Sequence, residues 1–178
     1  MDARELLEAR GAGELPHPGG TLLAHLERVH TTLRAWAEPD HVALAGLTHA
    51  AYGTDGFPQA LLDLTERELL RAAVGKAAEQ LVFVYGGCDR GVVYPRLGEP
   101  SPAFHNRFTG RDDHLDGPGL RAFAAITAAN EIDVATHNPE VLARHRDGLW
   151  TLFGRMRRHL PDPAWQACVS TFGPPGAG

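Results

Sequence analysis

Cysteine is scarce in this chain: Cys88 and Cys168 are its two cysteines among 178 residues. That number is too small for a disulfide framework, which favours a protein kept reduced inside the cell. The sequence also lacks an apolar run of membrane-spanning length and a charged-then-apolar leader at its start. Together these absences predict a cytoplasmic protein with no membrane partner.

An excess of positive charge is absent as well. The formal net charge is -5 at pH 7 and the isoelectric point is near 6.0. Nucleic-acid-binding domains usually carry a basic excess on one face, so no nucleic-acid partner is expected. The one basic cluster, residues 155–159, lies in a helical pattern and is interpreted as a solvated helix turn.

Several catalytic signatures are also missing. The sequence has no glycine-rich phosphate loop followed by lysine and no G-x-S-x-G turn. Neither cysteine lies in a local catalytic signature. These absences argue against a P-loop nucleotide hydrolase, a serine hydrolase of the α/β type and a cysteine nucleophile.

The residues that are present predict one all-α domain over residues 1–172, followed by a flexible tail over 173–178. Apolar residues make up 43% of the chain, which is enough for a hydrophobic core. The tail, G-P-P-G-A-G, has no side chains that could pack. No internal repeat is visible.

Helical periodicity and capping residues recur along the chain. After an extended approach to Thr21, one helical stripe is formed by Leu22, Leu26, Val29, Leu33 and Trp36. Further helices are predicted from Asp2 to Arg10, from Asp40 to Gly53, from a Thr65–Glu68 capping box to Gly86, and after Pro118, Asn138-Pro139 and Asp162-Pro163.

The segment from about residue 86 to 116 breaks this pattern. Three prolines and short apolar runs predict a long irregular loop, with a short β-hairpin as an alternative. Long loops inside compact domains are often functional. We therefore expect this loop to cover a pocket.

Two histidines lie in apolar helical segments, where a core would normally place leucine or alanine. His25 lies in T-L-L-A-H-L-E-R-V-H, and His49 lies in V-A-L-A-G-L-T-H-A-A-Y-G. Imidazoles on neighbouring helices can converge to bind a metal ion or to transfer a proton. The alternative is a pair of hydrogen-bonded core histidines.

These residues resemble the opening of the HD-domain superfamily: a histidine in an early helix, then a helix ending A-G-L-T-H-A-A-Y-G. The resemblance implies an HD-like helical bundle around a metal, with His25 as the first ligand and His49-Ala50 in place of the His-Asp pair. The late aspartate position falls on Asn130, or one turn later on Asp133. The chain also resembles an uncharacterised all-helical HD-like family, through H-P-G-G-T-L-L-A-H and H-A-A-Y-G-T-D-G-F.

The departures from the HD pattern affect the metal ligands. Ala50 cannot ligate, and Asn130 offers only a neutral carbonyl oxygen. Because catalytic zinc or iron sites normally use at least three protein ligands, other residues must compensate if the metal is retained. The candidates are His17, Asp133 and, third, Glu79. The predicted metal set is His17, His25, His49 and Asp133, for iron, manganese, zinc or nickel.

Further polar residues are candidates for catalysis and substrate binding. Glu79 lies on an apolar helix, where a buried carboxylate needs a metal, an arginine or a raised pKa. Its alternative is a structural ion pair with Arg71 or Arg90. Tyr52 follows His49 closely and could donate a proton. Glu79 and Tyr52 are thus the predicted catalytic residues, and the predicted substrate-binding residues are Thr54, Arg90 and Asn130.

The sequence thus favours a metal-dependent enzyme acting on a small molecule. Analogy with the superfamily suggests hydrolysis, with oxidation by activated dioxygen as the other possibility. The alternative is a metal-free HD-like protein that binds a small molecule or acts as an acid-base catalyst. A homodimer is also a possibility, because the C-terminal region carries several large aromatics: Trp150, Phe153, Trp165 and Phe172.

Overall fold

A computed structural model describes residues 1–174, which form nine α-helices and two small antiparallel hairpins. The helices are α1 (Ala3–Ala9), α2 (Leu22–Ala35), α3 (Asp40–Thr48), α4 (Arg67–Val74), α5 (Lys76–Gly87), α6 (Arg90–Val93), α7 (Gly117–His137), α8 (Pro139–Met156) and α9 (Asp162–Phe172). The strands are β1 (Pro16–His17), β2 (Gly20–Thr21), β3 (Ala103–Asn106) and β4 (Arg111–His114). The mostly helical class predicted from the sequence is confirmed.

Side-chain caps fix where several helices begin. The Thr21 hydroxyl accepts a hydrogen bond from the backbone N–H of Ala24 and starts α2. Asp116 and Asn138 cap α7 and α8 in the same way. Each cap satisfies a backbone donor that the first helical turn leaves free, and is typically worth about 1 kcal/mol.

Helices α2, α3 and α7 pack against one another and form the centre of the bundle. The predicted stripe of α2 is buried there, from Leu22 to Leu33. Gly46 of α3 permits the close approach of α2, because a Cβ at this position would clash with Leu33 Cδ1. The polar residues that α2, α3 and α7 bury among this apolar packing form the site described below.

The predicted helix from Thr65 to Gly86 is interrupted. Gly75 has a φ of +84°, a conformation that ends α4 and separates it from α5. The capping box also lies two residues earlier than predicted, at Asp63 and Glu66, and starts a 3-10 turn before α4. Strong apolar periodicity on both sides of Gly75 concealed this break.

The segment 86–116 is more ordered than an irregular loop. It contains the end of α5, the short helix α6, a 3-10 turn and the hairpin β3–β4, whose register pairs Ala103 with His114 and Asn106 with Arg111. The short β-hairpin named as an alternative is therefore confirmed. Helix α3 ends at Thr48 rather than Gly53, and residues 49–52 continue as turns.

The late aromatics pair with each other inside the chain. Phe153 stacks on Phe172, and Trp150 on Trp165, with centroid distances of 5.4 Å in both pairs. Intramolecular packing thus accounts for them, and the homodimer stays a prediction. No helix in residues 1–174 combines the length and apolarity that crossing a bilayer requires. Of the tail predicted over 173–178, residues 175–178 lie outside the described part of the chain.

Candidate functional site

A cavity of about 260 Å³ opens between α2, α3 and α7, beside the hairpin β1–β2. Its wall combines imidazole, amide, carboxylate and guanidinium groups with a few apolar side chains. The residues that line it are Pro16, His17, Pro18, Leu22, His25, His49, Ala50, Thr54, Gly56, Phe57, Arg90, Asn130, Glu131 and Val134. Six of the residues predicted from the sequence are therefore brought together here: His17, His25, His49, Thr54, Arg90 and Asn130.

His25, on α2, is buried and held by a carboxylate of α7. Its Nδ1 lies 2.6 Å from Asp133 Oδ2, so Nδ1 carries the proton and donates to the carboxylate. Arg28 grips the same carboxylate with Nε at 2.7 Å and Nη2 at 2.9 Å. Burial acts to raise the pKa of Asp133, but the hydrogen bonds from His25 and Arg28 outweigh it and lower the pKa to about 2.

His49 follows the last residue of α3 and is held in a similar way. Its Nδ1 lies 2.7 Å from the carbonyl oxygen of Gly46 and therefore donates to it. Burial first, and then the neighbouring His25, lower the pKa of His49 to about 3. At neutral pH His49 is an uncharged imidazole with its proton on Nδ1, and its Nε2 carries a lone pair.

Both Nε2 atoms point at the side chain of Asn130. His25 Nε2 and His49 Nε2 each lie 3.1 Å from Asn130 Oδ1. When each ring carries a single proton, on Nδ1, both contacts bring one acceptor against another. Reversing the Asn130 amide would let Nδ2 donate to both Nε2 atoms, but it would turn Oδ1 toward the carboxylate of Glu131, to which Nδ2 donates at 3.1 Å in the observed orientation.

With one proton on each ring and the amide in its observed orientation, three lone pairs meet at one point without a donor between them. A proton added to either ring would satisfy one Nε2 contact and leave the other unsatisfied. Buried acceptors without a donor are costly, whereas a cation at their meeting point satisfies all three together. The arrangement is chemically suited to hold a positively charged centre.

The three atoms also fit the requirements of a divalent metal. Ligands at about 2.1 Å from zinc are separated by roughly 3 to 3.4 Å, close to the observed Nε2–Oδ1 separations. Metal-binding histidines usually donate their other N–H to a carboxylate or a backbone carbonyl, as His25 and His49 do. Within residues 1–174 no group of three or more His, Cys, Asp or Glu side chains is arranged to hold a metal, so the set depends on the neutral amide of Asn130.

His17 reaches the cavity from the hairpin β1–β2. Its ring lies 4.2 Å from that of His25, centroid to centroid, and its Nδ1 is buried without a hydrogen-bond partner. Burial and the adjacent His25 lower the pKa of His17 to about 4, which keeps the ring neutral. Arg28 ties this hairpin to α2 by donating to the carbonyl oxygens of Pro18 and Gly19, at 3.0 and 3.3 Å.

Arg90 and Glu131 form the polar wall opposite the hairpin. Arg90 Nη1 donates to Glu131 Oε1 at 3.2 Å, and the Arg90 backbone N–H donates to Asp55. Thr54 is buried, and its Oγ1 accepts from the backbone N–H of Phe57 at 3.0 Å. Of the segment 86–116, which was expected to cover the pocket, Arg90 is the one residue that lines it; the cover comes from residues 16–18 and 54–57.

Asp133 does not face the cavity, although it was predicted as a metal ligand. Its carboxylate lies on the Nδ1 side of His25, away from Nε2, where it orients the ring. Asn130 occupies the position in contact with both Nε2 atoms. The sequence left the late position open between Asn130 and Asp133. In the structure Asn130 contacts the Nε2 atoms of both histidines, whereas Asp133 contacts the Nδ1 of His25.

Glu79 and Tyr52, the predicted catalytic pair, also lie away from this cavity. Glu79 is fully buried and binds Arg67 Nε at 2.6 Å and Arg71 Nη2 at 3.0 Å. Tyr52 donates its hydroxyl to Glu79 at 3.1 Å. Burial and the Glu79 charge raise the pKa of Tyr52, which makes it a poor proton donor or base at neutral pH. This cluster joins α4 to α5 across Gly75. The structural ion pair that the sequence offered as the alternative is present with Arg71, and the second arginine is Arg67 instead of Arg90.

Sequence reasoning missed two charged residues of the site. Arg28 lies three residues after His25, on the same helix face, and Glu131 is adjacent to Asn130. A signal for Arg28 was present, because residues three apart on a helix are neighbours and a buried Asp133 needs a cationic partner. No local pattern marks Glu131, because its partner Arg90 is 41 residues away in sequence.

Comparison with known proteins gives a partial match. Residues 6–90 are similar to a family described as "Domain of unknown function (DUF6817)". The matched segment carries His17, His25, His49 and Arg90, while Asn130 and Asp133 lie outside it. No curated protein and no solved structure matches the chain.

Proposed function

We propose that the protein is a metal-dependent enzyme acting on a small molecule in the cavity between α2, α3 and α7. The observation that carries the proposal is the convergence of His25 Nε2, His49 Nε2 and Asn130 Oδ1, three atoms that can each offer a lone pair to a cation. A divalent cation, Fe, Mn, Zn or Ni, would be held by these three atoms. When bound, such an ion would supply a Lewis acid that activates water or dioxygen.

The resemblance to the HD-domain superfamily supports this proposal by its order of residues. His25 on α2 and His49 directly after α3 correspond to the two early histidines of the pattern. Asn130 on the late helix α7 corresponds to the late residue, and its Oδ1 contacts both histidines. The departures from the pattern are Ala50 and Asn130, each in place of an aspartate. We propose an HD-like site with a neutral ligand set, hydrolytic by analogy with the superfamily or oxidative.

The protein's own side chains have separate tasks in this proposal. Asp133 keeps the proton of His25 on Nδ1 and thereby leaves Nε2 free, and Arg28 keeps Asp133 charged and in place. The unpartnered Nδ1 of His17 accepts a hydrogen bond from a substrate hydroxyl or amine. Arg90 binds an anionic part of the substrate.

Metal analysis tests the proposal. Protein purified without a histidine tag is exposed to Fe²⁺, Mn²⁺, Zn²⁺ or Ni²⁺, dialysed, and analysed by mass spectrometry of the elements. We expect about one ion of the preferred metal per chain. The double variant His25→Ala/His49→Ala should lose it, because a lone amide oxygen binds a divalent ion weakly.

The matched control is His41→Ala/His114→Ala, which also removes two histidines, both of them exposed. This control should keep the metal. Wild-type protein that takes up none of the four metals contradicts the proposal, and so does a His25→Ala/His49→Ala variant that binds as much as the wild type.

A gain-of-function variant tests the HD-like arrangement. Ala50 is buried, lines the cavity and stands where the superfamily pattern has an aspartate. Ala50→Asp adds an anionic ligand beside His49, so metal affinity should rise by about tenfold or more. Ala50→Asn, which adds similar volume without charge, should raise the affinity less. Equal affinities for Ala50→Asp and the wild type, both folded, would contradict the HD-like arrangement.

A specific observation also favours a second function, a metal-free acid-base catalyst or binding protein. His25, Asp133 and Arg28 form a chain in which a carboxylate orients an imidazole whose other nitrogen faces a cavity. Such a pair can act as a general base without metal. Activity or ligand binding that persists in the presence of a strong chelator would favour this function over the metal-dependent one.

A further inference from the structure

A groove of about 650 Å³ runs alongside α6, α7 and α8 and continues from the cavity just described. The cavity and the groove share four lining residues: Gly56, Arg90, Glu131 and Val134. A molecule longer than the cavity can therefore extend past Arg90 into the groove.

The groove has an apolar wall with a positively charged rim. The apolar side chains are Tyr94, Pro95, Val134, Val141, Leu149 and Leu152. The positive charge of the rim comes from Arg90 and from Arg155, which forms no ion pair within residues 1–174. The chain as a whole carries a net negative charge, whereas this rim carries positive charge. The rim therefore favours an anionic ligand.

Gly148 keeps the groove open. It lies inside α8, where glycine costs about 0.5 to 1 kcal/mol relative to alanine, and a Cβ at this position would meet no atom within 4 Å. The space that a side chain would fill is part of the groove. Gly154, on the same helix, is equally unobstructed but does not line the groove.

Arg90 retains unused donors at the junction of cavity and groove. Its Nη1 binds Glu131, but its Nε and Nη2 have no acceptor within residues 1–174. Arg28 and Arg67 use this Nε–Nη2 edge to grip the carboxylates of Asp133 and Glu79. The Glu131 charge is already engaged by Arg90 Nη1 and by the amide of Asn130. The free edge of Arg90 can therefore take a carboxylate in the same two-pronged geometry.

We infer that the substrate is an elongated organic acid, with its carboxylate on the Nε–Nη2 edge of Arg90 and its apolar body in the groove beside Gly148. This inference rests on the proposed function, under which the ligand of the cavity and groove is a substrate. The carboxylate end, at the junction of cavity and groove, is then the part of the substrate nearest to His25 and His49. The recognition itself needs only Arg90 and the groove.

Decanoate is the probe, used below its micellar range and measured by isothermal titration calorimetry with the whole protein. We expect decanoate to bind at least tenfold more tightly than acetate, because the apolar groove contributes affinity for each methylene it covers. Gly148→Leu should weaken decanoate binding at least tenfold by filling the groove. Arg90→Gln should also weaken it at least tenfold by removing the fork.

Matched controls separate these effects from general damage to the fold. Gly154→Leu places the same side chain in open space on the same helix and should leave decanoate binding unchanged. Decyltrimethylammonium has a chain of similar length and the opposite charge, and it should bind at least tenfold more weakly than decanoate. Equal binding of the cation, or equal binding by Gly148→Leu and Gly154→Leu, overturns the inference.

The two proposals can fail independently. His25→Ala/His49→Ala should lose the metal and still bind decanoate, because neither Arg90 nor the groove is altered. A wild type that binds metal but not decanoate contradicts the substrate class alone. A wild type that binds decanoate and takes up no metal contradicts the metal-dependent function and leaves the carboxylate site standing.

Discussion

Two buried carboxylates, Asp133 and Glu79, lie in similar surroundings and do different things. Each is gripped through Nε and Nη2 of an arginine, Arg28 for Asp133 and Arg67 for Glu79. The difference lies in the partners besides this arginine. Glu79 receives a tyrosine hydroxyl and joins two helices, whereas Asp133 receives His25, whose other nitrogen faces a cavity. Burial alone does not distinguish Asp133 from Glu79. Asp133 belongs to the candidate site because its partner His25 lines the cavity.

The largest expected effect is on the free energy of unfolding, and it distinguishes the cluster around Glu79 from the cluster around Asp133 and His25. Glu79→Ala leaves Arg67 and Arg71 without their buried partner, which should lower the free energy of unfolding by about 3 to 5 kcal/mol in urea titrations. Metal uptake should be unchanged in the folded fraction. The control Glu68→Ala removes an exposed carboxylate that also contacts Arg71, and it should cost less than about 1 kcal/mol. Comparable losses for both variants would refute the structural role of Glu79.

As the pH falls, we expect the protein to lose stability first through the buried His49 of the cavity. The pKa of His49 is about 3 in the fold against an ordinary 6.5, so below pH 6.5 the unfolded chain takes up a proton that the folded chain refuses. Stability is therefore fully present above pH 6.5 and falls toward pH 3, by up to roughly 1.4 kcal/mol per pH unit. Glu79 has a lowered pKa, so its contribution is lost only at lower pH, as the pH falls through that value.

Urea titrations in the presence of a chelator, from pH 7 to pH 4.5, measure this dependence. We expect a loss of up to about 3 kcal/mol over this range in the wild type. His49→Gln should flatten the slope, and His41→Gln, at an exposed position, should not. A wild-type stability that is level across this range would be incompatible with a buried neutral His49.

The next effect concerns affinity. Asp133→Asn keeps the shape of the side chain but removes the charge that holds the proton of His25 on Nδ1. Loss of such an outer partner typically lowers metal affinity 10- to 100-fold. Glu79→Gln, the equivalent change at the other centre, should leave metal affinity unaltered in the same titration. If both variants bind metal as the wild type does, the distinction between the centres fails.

The smallest effect tests redundancy at Glu79. Arg71→Gln removes one of two arginines from a carboxylate that keeps both hydrogen bonds from Arg67. Because Arg71 is partly exposed, the loss of stability should be about 1 kcal/mol in urea titrations. Arg67→Gln removes two hydrogen bonds and should cost more. The reverse order would show that Arg71 is the main partner of Glu79.

The sequence predicted the local structure better than the site. The helix start after Thr21, the helix start at Asn138-Pro139 and the apolar stripe of α2 are local signals, and the structure has both helices where they were expected. The break at Gly75 was missed because a positive φ leaves no trace in apolar periodicity.

The site was predicted in part, since the residues of the first three helices carry a recognisable pattern. His25 and His49 stand out because histidine is unusual on an apolar helix face. Glu79 stands out for the same reason, yet its surroundings are structural, and the arginines that decide this come from a separate helix. Glu131 has no local signal in the sequence, because its place in the site depends on its contact with Arg90 of α6, which is distant in sequence.

The most direct test of the central claim is the protonation of the two rings in the metal-free protein. Long-range ¹H–¹⁵N correlation spectra at pH 7, assigned with His25→Gln and His49→Gln, report which nitrogen of each ring carries the proton. The account predicts that His25 and His49 both carry it on Nδ1, with both Nε2 atoms unprotonated and shifting together when a divalent metal is added. A proton on either Nε2, or Nε2 signals that ignore every metal, would contradict it.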